Sequence, residues 1–91
     1  MDTSVWKKLF VDWPAGIPRR GVLITSFAEQ FPFDGFLTGD ELLYFDRQTP
    51  DTIGARAMLL PYANIVAVKF QDVVKPQALQ SIGLEGTLTK R

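Results

Sequence analysis

The sequence predicts a mainly β fold: a short N-terminal helix, then a strongly bent five-stranded antiparallel sheet that closes into a small barrel. Three observations carry this expectation. In the first thirteen residues, apolar side chains recur at spacings of three and four, the mark of one amphipathic helix. From residue 21 onward, five short runs rich in β-branched and aromatic residues follow one another. Their connections are too short for crossover helices, so neighbouring strands run antiparallel. Finally, Gly35 sits inside the second run, "FPFDGFLTG", where a glycine marks a bend, a bulge or a close backbone approach. A small sheet that twists and bends this strongly curls onto itself.

Taken in order, "DTSVWKKLFVDWP" opens with Asp2, Thr3 and Ser4 as candidate N-caps. Val5, Trp6, Leu9, Phe10 and Trp13 form the apolar stripe, with Lys7, Lys8 and Asp12 off it. Pro14 ends the helix, because the residue before a proline is pushed out of the α region. So short a helix is marginal alone and must pack on something. "PAGIPRRG" is a linker. Strands are expected over 21–27, 31–39, 41–47, 55–60 and 64–70, with a tight turn at Gly39-Asp40 and a longer loop, "QTPDTIG", over 48–54. In "KPQALQSIG", Pro76 suits the first position of a helical turn and Gly83 its end. "LEGTLTKR" reads as a frayed tail or an edge strand. The expected organisation is one domain over 1–91: helix 1–13, barrel 21–72 and C-terminal extension 73–91.

Composition narrows the function. The chain of 91 residues has no Cys and no His, which removes disulfides and the usual zinc ligand sets. A domain this small buries roughly 60–65% of its unfolded surface, and with those supports absent, oligomerisation is the remaining common source of stability. Ten basic and ten acidic residues cancel, so the chain is not a bulk polyanion binder. The charge is zoned: +2 over 1–28, −5 over 29–51 and +3 over 52–91. These zones either pair between neighbouring subunits or are ordinary surface scatter. No apolar run approaches the ~20 residues of a membrane-spanning helix, and no signal-peptide pattern is present. The expectation is a soluble cytoplasmic protein with no membrane partner.

Catalysis is not expected. Asp34, Asp40, Glu41 and Asp46 are carboxylates that could serve in acid/base chemistry, but each reads more simply as a turn or strand-surface residue. The chain offers no nucleophilic Cys and no Gly-rich phosphate loop. Neither a cofactor, a metal nor a small-molecule substrate is inferred.

The stretch "LLPYANIVAVKF" over 59–70 is the most informative. Two strand-forming runs are separated by Pro61-Tyr62-Ala63-Asn64. Proline has no N–H to donate, so it ends the ladder of the fourth strand where the chain turns into the fifth; a proline bulge on an edge strand is the alternative. Leu59-Leu60 before the interruption and Asn64-Ile65-Val66 after it, together with the bent "FDGFL" over 33–37, resemble the Sm-like fold of eukaryotic Sm proteins and bacterial Hfq. The resemblance covers residues 21–70. It implies an N-terminal helix lying across one open end of the barrel, and a homo-oligomeric ring in which the fourth strand of one subunit pairs with the fifth of the next. It also implies RNA contact from two loops. Pro61-Tyr62 stands where the family has Arg-Gly, and the other loop, Gly39-Asp40-Glu41, lacks the family's Asn, so the match is to an architecture more than to its RNA site. Another SH3-like barrel is the alternative fold.

Candidate subunit-interface residues are therefore Met58, Leu59, Leu60, Ile65, Val66 and Val68. Candidate contacts to RNA or another single strand are Arg19, Arg20, Asp40, Tyr62, Asn64 and Lys69, with Tyr62 as a stacking surface. A structural or protein-interaction scaffold that binds no nucleic acid is the alternative function.

Overall fold

The computed structural model describes residues 4–47 and 49–88. Helix α1 spans Ser4–Val11; Asp2 and Thr3, expected as caps, lie outside the described residues. Six strands follow: β1 Gly21–Thr25, β2 Gln30–Phe33, β3 Gly35–Thr38, β4 Leu42–Asp46, β5 Ala57–Pro61 and β6 Ile65–Lys69. They form two antiparallel three-stranded sheets, ordered β2-β1-β6 and β3-β4-β5. A helical turn α2, Pro76–Leu79, continues as a 3-10 turn, Gln80–Ile82, and ends at Gly83 with φ +89°. Among the described residues, no helix is long and apolar enough to cross a membrane.

The fold is thus mainly β behind one short N-terminal helix, but with six strands instead of five, and among the described residues the ladders do not close a barrel. The difference lies at Asp34. The expected second strand, 31–39, is divided there into β2 and β3, each belonging to a different sheet. The Asp34 N–H donates to the carbonyl of Asp46 at 2.9 Å, so the backbone crosses between sheets without losing its hydrogen bond. Gly35, expected to make the bend, has no left-handed φ and open space where a Cβ would stand. The close backbone approach is at Gly21, where a Cβ would lie 2.6 Å from the Lys69 carbonyl oxygen across the β1–β6 ladder.

Strand ends follow local chemistry. β1, expected to reach residue 27, stops at Thr25, whose buried hydroxyl accepts hydrogen bonds from the N–H groups of Phe27 and Glu29. That side chain offers the backbone a turn in place of a ladder, and Ala28 completes it at φ 64°. In the 48–54 loop, whose Gln48 lies outside the described residues, the Asp51 carboxylate accepts from the N–H groups of Ile53 and Ala55 at 2.9 and 2.8 Å. Those bonds hold its pKa below the ordinary carboxylate value. Pro61 is the last residue of β5, paired with Leu42, and the chain then makes a 3-10 turn over Tyr62–Asn64 into β6.

The core forms where α1 lies over the sheets. Phe10, Leu23, Phe31, Phe33, Phe36, Leu43, Phe45, Leu60, Tyr62 and Ile65 make one buried cluster, with Trp6, Leu9 and Trp13 packed against it. Phe10 is 1% exposed and meets Phe36 and Phe45 edge-on, with ring centroids 5.0 and 5.5 Å away. The expected stripe is narrower in fact. Val5 is exposed, and Trp13 lies beyond the helix, its indole N–H donating to the Ile17 carbonyl at 2.9 Å.

Candidate subunit edges and nucleic-acid interface

The described ladders leave β5 paired only with β4 and β6 paired only with β1. Each therefore presents one backbone edge free of intramolecular pairing among the described residues. The six candidate interface residues divide by the pleat. Leu60 and Ile65 are 5% and 2% exposed and belong to the core cluster, and Met58 and Val68 pack against it. Leu59 and Val66 point outward and are 65% and 57% exposed. In the β1–β6 ladder Ile24 pairs with Ala67 and Thr25 with Ile65, so Val66 is the extra residue of a bulge. Bulges concentrate at sheet edges, where they re-aim side chains or limit pairing.

The outer face of the β3-β4-β5 sheet adds apolar surface that one-dimensional reading missed. Leu37 pairs with Tyr44, and Tyr44 with Leu59, which sets the three side chains in a row across the strands. Leu37 is 67% exposed and Tyr44 half-buried. Only the register, set by the Gly39 N–H bond to the Leu42 carbonyl in the turn, brings them together.

The six candidate nucleic-acid contacts fall into separate places. The turn before β4 and the turn before β6 meet: the Tyr62 hydroxyl donates to the Gly39 carbonyl at 2.9 Å, and the Tyr62 N–H donates to the Glu41 carbonyl at 3.3 Å. A groove of about 550 Å³ lies at this meeting point, lined by Lys7, Asp40, Glu41, Pro61 and Tyr62. Tyr62 is 3% exposed, so no base reaches its face while this packing holds. Burial, chiefly, and the nearby Asp40 charge push its pKa up. Asp40 itself is exposed, with Lys7 Nζ at 3.9 Å. Asn64 hydrogen-bonds through Nδ2 to the Ser26 hydroxyl at 2.9 Å, while its carbonyl accepts from the Ser26 N–H.

The cations stand elsewhere. Lys69 is exposed at the far end of β6 from Asn64, about 13–17 Å along the strand. Arg20 makes two hydrogen bonds to Asp72, of 2.9 and 2.7 Å. The hydrogen bonding and charge of this pair raise the pKa of Arg20 and lower that of Asp72. Arg19 lies over the Phe36 ring, 3.8 Å from its centroid, and reaches the Phe36 carbonyl at 3.4 Å. Both guanidinium groups are thus engaged within the chain, and the groove between the two turns carries two carboxylates and one amine. Comparison with known protein families, curated proteins and solved structures found no match.

Proposed function

We propose that this chain is a non-enzymatic Sm-like subunit that assembles into a homo-oligomeric ring, β5 of one copy pairing with β6 of the next. One observation carries the reading. The two sheets run β6-β1-β2 and β3-β4-β5, and β2 leads directly into β3 through Asp34; with β2 and β3 taken as one bent strand, the sheets make one ribbon whose two ends are the unpaired edges of β6 and β5. In this reading that ribbon is the strongly bent sheet of a small barrel, counted as five strands when β2 and β3 are taken as one. A head-to-tail interface between such edges repeats until the rotation closes. Exposed Leu59 and Val66 would then be covered instead of inviting indiscriminate pairing.

The ring is proposed to act chiefly as a scaffold, with little or no affinity for single-stranded RNA. The engaged arginines, the buried Tyr62 and the carboxylates at Asp40 and Glu41 support this over a uridine-binding ring. Light scattering at micromolar concentration tests the assembly: the wild type should have a mass several times that of the monomer, and Val66→Lys should shift it toward monomer with its β-sheet circular dichroism unchanged. A wild type that is cleanly monomeric would remove the ring. Titration with uridine-rich and adenine-rich strands at two salt concentrations tests the second part. Weak binding that vanishes with added salt fits a few phosphate contacts, whereas submicromolar uridine-specific binding would contradict it.

A further inference from the structure

A second concave surface lies away from the two turns. It is a cavity of about 510 Å³ between α1, β6 and the C-terminal turns, with Trp6 and Leu9 on one wall, Val68 and Phe70 on another and Leu79 and Ile82 on the third. Its size falls in the range of small-molecule sites, about 300–1,000 Å³. The lining is apolar except for Lys8 and the Trp6 indole N–H; no side chain around it is a hydrogen-bond acceptor. Lys8 makes no ion pair among the described residues, in contrast to Lys7 and Arg20.

We propose that this cavity binds a medium-chain aliphatic carboxylate, the alkyl chain lying between α1 and the C-terminal turns and the carboxylate meeting Lys8. The inference is independent of the ring. Lining side chains that can donate but not accept select a ligand whose polar end only accepts, and a single cation selects an anion. A nucleobase or a peptide would bring N–H donors with no acceptor side chain to satisfy them, at the cost of stranded polar groups. An unbranched alkyl chain brings none. Its burial against Trp6, Leu9, Leu79 and Ile82 is the favourable term.

The test is calorimetric titration of the full chain with octanoate, decanoate and decanol, all below their aggregation concentrations. Octanoate and decanoate should bind one per chain, each added methylene tightening binding up to about fourfold. Lys8→Ala should weaken decanoate up to about fivefold and leave decanol unchanged. Leu79→Trp should abolish binding of both by filling the cavity. Leu79 and Ile82 lie outside the buried core cluster, so the fold should survive, and Ile82→Trp repeats the test if Leu79→Trp loses its circular dichroism. The proposal is overturned if decanoate gives no saturable binding, as it would were the cavity occupied by a second copy of the chain. It is equally overturned if the filled variants bind as well as the wild type, or if Lys8→Ala leaves decanoate affinity untouched.

Discussion

Phe10 shows how a single residue ties the N-terminal segment to the sheets. Its ring meets Trp13, Phe33, Phe36 and Phe45, members of or neighbours to the one buried cluster. Phe10→Ala should therefore cost about 3–5 kcal/mol, read as a fall in melting temperature, and more than Trp6→Ala, since Trp6 is only half-buried. Equal or smaller loss at Phe10 would mean that α1 docks loosely. At the surface, Asp72 behaves differently. Its pKa is lowered, mainly by the hydrogen bond from Arg20, so its contribution is present at neutral pH and is lost as pH falls through that lowered value. Asp72→Asn should lower the melting temperature at neutral pH, with the gap to wild type closing as pH drops below about 3.9. A gap that persists undiminished in acid would show that the pair does not couple stability to this proton.

At the scale of elements, α1, the strand runs after it and the turn at Pro61 were legible, because each rests on local patterning or on proline's missing donor. Where the signal depended on tertiary context, it misled. The glycine inside "FPFDGFLTG" marked the right place for a division but the wrong cause: Asp34 carries the crossing, and Gly35 has room for a side chain. Gly21, at the start of a strand, gave no sign of a close approach, because its neighbour Lys69 lies 48 residues away in sequence (69 − 21) and only the ladder brings them together. Two substitutions separate these roles. Gly35→Ala should leave stability unchanged or raise it by up to about 1 kcal/mol by restricting the unfolded chain. Gly21→Ala should cost about 1–3 kcal/mol, because the Lys69 backbone must move. Denaturant midpoints measure both, and the reverse ranking would contradict the placement of the close approach.

For the whole molecule, the candidate site was less legible than the fold. The residue types that suggest nucleic-acid contact can be read in the sequence, but their availability cannot: Arg20 is matched to Asp72 and Tyr62 to Gly39 by pairings that only the folded chain creates. The apolar row Leu37-Tyr44-Leu59 and the cavity beside α1 were likewise hidden, since each gathers residues far apart in the chain. The described ladders leave β5 and β6 each with one unpaired backbone edge, and pairing of those edges between copies is what the proposed ring requires. Residue-resolved amide hydrogen exchange tests it most directly. If β5 pairs with β6 of the next copy, protection within Ala57–Pro61 and Ile65–Lys69 should approach that of the central strands β1 and β4. It should also fall on dilution and in Val66→Lys. If the outward amides of both strands exchange as fast as those of an exposed loop at every concentration, the edges are unpaired in solution and the ring does not form.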